Sequence, residues 1–284
     1  MPVHIQKYDN NNKAIIGTEH HLVPRVYFNR ICLKQGESYR LRLKNYEAIW
    51  TMVRGTCSFS VDDLAFPHVG GREDIWQGRA DSVYVPQASE VQVQCTSVDA
   101  EIYIGGGLCT ESDKRGEAAH IKPEDVQVIT YGSDETKTHR CIQHILGQNS
   151  PQRMGRLLVS ELFTVGQGGW SGFPPHKHDE DRMPMESAYE EVYHFRFTPP
   201  QGFAAQFAYN NDQDTGPVFH VKDGSTVALD RGYHPVVVAP GYQMYYFTII
   251  VGKTQKSLVQ HFQEEHKNQL ETIPGIKDMI AAFK

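Results

Sequence analysis

Residues 173–195 read FPPHKHDEDRMPMESAYEEVYHF. Two histidines, His176 and His178, stand two apart behind Pro174 and Pro175. A proline disfavours helix at the residue before it and favours extended backbone. In an extended chain, alternate side chains share a face, whereas positions two apart on a helix do not. The H-x-H therefore predicts a strand that turns both imidazoles to one side and Lys177 to the other. Two converging imidazoles are half of a metal site. An isolated H-x-H is more often a surface or structural feature, so its neighbours have to decide.

Those neighbours are YEEVYHFRF, residues 189–197, and LDRGYHPVVV, residues 229–238. The first reads as a strand with Glu191, Tyr193 and Phe195 on one face and Glu190, Val192, His194 and Arg196 on the other. One of the two glutamates must point inward, and Glu191 brings an aromatic face with it. The second places His234 at the start of an apolar strand, behind a turn glycine. Three histidines and a carboxylate would leave positions open on a divalent ion such as zinc, manganese, iron or nickel, as catalysis requires. His194 and His220 read as packing or surface residues. His261 and His266, in a charged tail, read as solvated.

Working outward, the chain's dominant period is two. Short β-rich runs (SYRLRL, IWTMV, CSFSV, SVYVP, VQVQC, EIYIG) recur between turn residues, and the series restarts with VQVITY and RLLVSELFTV. Regular short strands predict an all-β sandwich or barrel. Helix is expected only in the tail, residues 256–284, as one or two short pieces broken at Pro274 and Gly275. A boundary fits YIGGGLCTESDKRGEAAHIKPEDVQV, residues 103–128, with Gly105–Gly107 as a strand end leading into a linker. That gives two β-rich halves, 1–112 and 113–284. The triple glycine lacks the G-x-G-x-x-G context of a nucleotide cradle.

Composition bounds the partners. The 284 residues carry a net charge of -6, which argues against nucleic acid. The most apolar stretch, residues 234–252, is interrupted at Pro240, Gly241 and Gln243, so no membrane span is expected. The start, MPVHIQKYDNNNK, has no apolar leader run. The 5 cysteines form no C-x-x-C, so reduced thiols and a cytoplasmic setting are expected.

The combination of H-x-H, strand glutamate and glycine followed by histidine resembles the cupin superfamily. GGWSGFPPHKHDED (168–181), EEVYHFRFTPPQGFAAQFAY (190–209) and DGSTVALDRGYHPVVVAPGYQMYYF (223–247) are more closely similar to the 5-deoxy-glucuronate isomerase family of inositol catabolism, relatives of the uronate ketol-isomerases. The resemblance implies a bicupin: two β-sandwich or jelly-roll barrels with a short C-terminal helical tail. It implies a metal-free barrel in 1–112, which has no H-x-H. The barrel in 113–284 would hold one divalent metal through His176, His178, Glu191 and His234. Pro184–Ala188 fill the family's longer gap between the second histidine and the glutamate.

The implied activity is a metal-dependent aldose–ketose isomerisation of 5-deoxy-glucuronate to 5-dehydro-2-deoxy-gluconate. The alternatives are a paralogue acting on another sugar acid and a cupin dioxygenase with the same ligands. Asp230 and Phe207 stand where the family pattern has proline and arginine. Tyr193 and Tyr246 are the candidate proton carriers, ahead of Glu186 and Asp179. Arg182 is preferred over Arg196 and Arg231 for the substrate's carboxylate. The partner is a small sugar acid, and a homo-oligomer is expected.

Overall fold

The structure is a computed structural model and describes residues 2–211 and 214–282. Two compact units interleave along the chain: Asp9–Gln127 with Gln143–Val159, and Met1–Tyr8 with Val128–Ile142 and Ser160–Lys284. This differs from a single cut after residue 112, for local reasons. Val3–Ile5 pairs antiparallel with Thr226–Leu229, which ties the N-terminus to the second half. Residues 143–159 are fastened to the first half by the buried Glu47 carboxylate, which accepts hydrogen bonds from the Gly155 and Leu157 amides (3.2 Å each) and the Tyr84 hydroxyl (2.8 Å).

The unit containing Asp9–Gln127 is a sandwich. One sheet runs Ala119–Ile121, Ser82–Val85, Tyr46–Arg54, Asp99–Leu108, Val26–Lys34; the other runs Ser38–Arg42, Glu90–Cys95, Thr56–Val61, Leu64–Gly70. Alternation is clean in Glu90–Cys95, where Val91, Val93 and Cys95 are buried and their neighbours exposed. Trp50, Met52, Ile102 and Ile104 meet Phe59, Val91 and Val93 in a continuous apolar core. Gly105–Gly107 stand at the end of the strand Asp99–Leu108, still paired with Val26–Lys34 on one side and Tyr46–Arg54 on the other. A Cβ at Gly106 would sit 3.1 Å from Tyr27 Cβ and 3.4 Å from the Glu47 carbonyl, so the missing side chain makes room for Tyr27.

The other unit repeats the architecture. A seven-stranded sheet runs Val3–Ile5, Thr226–Leu229, Tyr189–Thr198, Gln243–Gly252, Leu157–Thr164, Arg140–Leu146, Gln127–Tyr131; a four-stranded sheet runs Gly169–Ser171, Val236–Val238, Phe203–Phe207, Val218–Lys222. Tyr193, Phe195, Leu229 and Tyr246 of the first pack on Ala204, Val221, Val236 and Val238 of the second. The fold is the expected all-β bicupin. The tail forms a 3-10 helix, Glu264–Glu271, and a short α-helix, Ile276–Ala282, which buries Ile276 and Met279 against Tyr131 and Ile142. Among the described residues, no helix is long and apolar enough to cross a membrane. All five cysteines are free thiols.

Candidate metal centre

The H-x-H is extended, as its prolines require. His176–Lys177 pairs antiparallel with His261–Phe262, and Gln263 donates its amide to the Pro175 carbonyl. His176 and His178 turn one way, and Lys177 turns the other, into a nest of carboxylates. Its ammonium meets Asp179 (2.5 Å), Glu186 (3.1 Å) and Glu180 (3.3 Å). Glu186 is fully buried and also accepts the backbone amides of Asp179 and Glu180. The 184–188 insertion is thus folded back as a plug that fixes the chain just after His178. Asp179 reaches across to accept the Gly232 amide at 2.7 Å, which joins the first histidine motif to the second.

His234 depends on the turn before it. Gly232 has φ of 85° and a Cβ there would lie 2.6 Å from the Tyr209 carbonyl, so only glycine fits. Gln206, fully buried, donates to the His234 carbonyl at 2.7 Å and clamps the backbone beyond the ring. Glu191 projects from Tyr189–Thr198, in register between Leu229 and Ile250. Parity holds on that strand: Tyr193 and Phe195 share the Glu191 face and join the core. The opposite face is buried too, and His194 there simply hydrogen-bonds Thr226 (2.9 Å).

The side chains converge. Ligand atoms of His176, His178 and His234 lie within 4.8 Å of one another. Glu191 Oε2 is 3.0 Å from His178 Nε2 and 3.3 Å from His234 Nε2. Burial opposes the charge on Glu191, but the imidazoles of His178, hydrogen-bonded to it, and of His234 beside it outweigh burial and hold the carboxyl well below the usual range. His176 is pushed down to about 3 by burial and by the charges of His234 and His178.

The donor set fits a divalent cation. His234 Nδ1 meets the Gly232 carbonyl at 2.8 Å, the backbone contact that sets the tautomer of a ligating imidazole. Its Nε2 then aims a lone pair at Glu191 and, though buried, has no hydrogen-bond partner. Two acceptors facing each other are reconciled by a cation between them.

Around this set, Tyr193 stacks edge-on to Tyr246 (centroids 4.8 Å apart) and lies 6.2 Å from the His234 ring. Burial, with Glu191 and Tyr246 beside it, pushes the Tyr193 phenol well above its ordinary value. The Tyr246 hydroxyl meets Ser171 and accepts from Arg140 (3.3 Å). The three arginines favoured by sequence proximity already have carboxylate partners. Arg182 holds Glu186 (2.5 Å) and Glu180 (2.9 Å), Arg196 holds Asp223 (2.9 Å), and Arg231 holds Asp230 (2.9 Å). Phe207 stacks on Trp170, with centroids 5.8 Å apart.

Sequence reasoning misses Gln206, Gln260 and Arg140. Gln260 sits with its amide 3.0 Å from His176 Nε2, a contact made across 84 residues that no local pattern encodes.

The KduI/IolB family profile matches residues 4–269. A 5-deoxy-glucuronate isomerase of Bacillus subtilis (strain 168) is 34% identical over 233 residues, 81% of this chain and 83% of that protein. The crystal structure of an IolB-like protein from Salmonella typhimurium LT2 superposes with a TM-score of 0.82 at 29% identity, covering 89% of this chain and 93% of that one. An oxalate decarboxylase from Bacillus subtilis superposes with a TM-score of 0.59 at 11% identity, covering 95% of this chain and 81% of its own, which extends the likeness of fold alone.

Proposed function

The chain belongs to the KduI/IolB family, and on that premise we propose that it is a metal-dependent isomerase converting 5-deoxy-glucuronate to 5-dehydro-2-deoxy-gluconate. The observation that carries the metal reading is the convergence of His176, His178 and His234 on the ionised Glu191, with the His234 Nε2 lone pair aimed inward. The metal's identity lies among the divalent ions that accept imidazole and carboxylate together: zinc, manganese, iron or nickel.

The reaction moves a proton from C2 to C1 and interchanges the aldehyde and the hydroxyl. A cation held by His176, His178, Glu191 and His234 would supply a Lewis acid for the charge that develops on the substrate's oxygens. The chain's own residues do the rest. Glu191 and the three imidazoles fix where the sugar's C1–C2 end must sit. Tyr193, beside Glu191 and kept protonated by burial, is a hydrogen-bond donor rather than a base at neutral pH. It orients a substrate oxygen. Tyr246, one ring further on, has its hydroxyl engaged by Ser171 and Arg140, so it faces the far end of the substrate and holds it there rather than carrying the proton between C1 and C2. Phe195, Leu229 and Val236 line the interior beside these rings and exclude water from it.

The test is proton NMR of 5-deoxy-glucuronate in D₂O with metal-replete protein, repeated after chelation. Loss of the aldehyde and hemiacetal signals, growth of the ketose and arrest by chelator are expected. An unchanged spectrum with metal demonstrably bound would refute the assigned substrate.

A further inference from the structure

Arg140 is among the largest fully buried side chains of the protein, with 1% of its surface exposed. Its Nε donates to the Phe163 carbonyl at 2.9 Å, and Nη2 donates to the Tyr246 hydroxyl at 3.3 Å. Its guanidinium carbon lies 5.3 Å from the centre of the Tyr246 ring. None of these partners carries a negative charge. Nη1 is buried with no hydrogen-bond partner among the described residues.

A buried guanidinium without a counter-ion is costly. Removing a cation from water is offset only by a close opposite charge and by satisfying its donors. Arg182, Arg196 and Arg231, all more exposed, each have a carboxylate; the most buried of the four has none among the described residues. An uncompensated cation kept inside a folded protein is characteristic of a site whose missing charge arrives with a ligand.

Its position says which ligand. The Tyr246 ring that Arg140 covers is 4.8 Å from Tyr193, and Tyr193 is 6.2 Å from the His234 ring. The guanidinium is therefore two aromatic rings from the ligand cluster. An extended six-carbon chain spans roughly 6 Å at about 1.5 Å per bond, so a uronic acid with C1 and C2 at the cluster reaches toward this cation with C6.

We propose that Arg140 is the specificity-determining residue that takes the substrate's carboxylate, through Nη1 and alongside the Tyr246 hydroxyl. This rests on the sugar-acid reading of the same site. A planar guanidinium offers parallel donors to a carboxylate, which a lysine cannot reproduce. The neutral aldose lacking that carboxylate leaves the cation unpaired and is rejected.

The test compares wild type with Arg140→Met and Arg140→Lys, all metal-loaded. Removing a charged hydrogen-bond partner weakens binding by about 10–100-fold. KM for 5-deoxy-glucuronate is expected to rise by that factor in Arg140→Met and less in Arg140→Lys, with metal content unchanged. In parallel, melting is followed with gluconate and with sorbitol, which differ in the carboxylate. Gluconate alone should raise Tm of the wild type, and Arg140→Met should lose that response. Without ligand, Arg140→Met should melt at or above the wild type, because an unpaired buried cation has been removed; a merely structural arginine would give a lower Tm.

A folded, loaded Arg140→Met enzyme with KM within about twofold of wild type and an intact gluconate response overturns the proposal. If the loaded wild type leaves 5-deoxy-glucuronate unchanged, the isomerase reading fails. The gluconate–sorbitol comparison still decides whether Arg140 selects a carboxylate.

Discussion

At the scale of single residues, chemistry is separable from packing. Tyr193 lies on the Glu191 face of its strand and is 5% exposed, so its ring is core whatever its hydroxyl does. Tyr193→Phe keeps the ring and removes the donor. We expect kcat to fall about 100-fold, the scale of one positioned proton-transfer or orienting group, with metal content retained by elemental analysis. A kcat close to wild type would reduce Tyr193 to a packing residue. His144 offers a test away from the site. It is 6% exposed, and burial pushes it down to about 4 from its ordinary 6.5. Between those values the unfolded chain binds the extra proton and the folded chain does not. Stability from the neutral ring is therefore complete above 6.5 and is lost as pH falls toward 4. The window corresponds to at most about 3 kcal/mol. Urea unfolding of His144→Phe across this range should show a shallower loss of stability on acidification than wild type; parallel curves would mean that His144 does not drive the acid limb.

At the scale of elements, the strand His176–Lys177 is held by what lies behind it. Lys177, its side chain 10% exposed, meets Asp179, Glu180 and the fully buried Glu186, while the more exposed Arg182 pairs with Glu186 and Glu180 as well. Lys177→Met preserves the stem but leaves Asp179 without its ammonium and Glu186 with Arg182 alone, at a cost of about 3 kcal/mol, the low end for breaking a buried pair because one cation remains. Metal affinity should weaken about tenfold as the H-x-H loses its backing. Calorimetric titration and urea midpoints check both; wild-type values in each would show that the plug holds without its lysine. The orientation of this element is legible in sequence, because two prolines force extension and extension fixes parity. Tyr189–Thr198 is legible by its alternation for the same reason. Val26–Lys34 is not, since Val26 through Asn29 are all buried and no alternation survives. The triple glycine marks the strand's end, but the reason Gly106 is glycine, Tyr27 on the neighbouring strand, is not legible in it. Arg140 meets Tyr246 across 106 residues, so only the folded sheet reveals it.

At the scale of the whole molecule, one architecture occurs twice with different interiors. The sandwich built from Asp9–Gln127 fills the space between its sheets with Trp50, Met52, Phe59, Val93 and Ile102. The other carries His176, His178, Glu191 and His234, and His176, His178 and His234 are the one group of three or more metal-ligating side chains found among the described residues. A ligand that binds only the folded form stabilises it by mass action, about 2.7 kcal/mol at a hundredfold excess over Kd. That stabilisation acts on whichever parts must open for the ligand to leave. Hydrogen exchange with and without metal should therefore show added protection in peptides covering 173–195 and 229–238, and in their partner strand Gln243–Gly252. Peptides from Tyr46–Arg54 and Asp99–Leu108, in the other sandwich, should exchange at the same rate in both states. Equal protection of both sandwiches would show that the chain opens only as one cooperative block. In that case the independence of the two barrels would have to be abandoned.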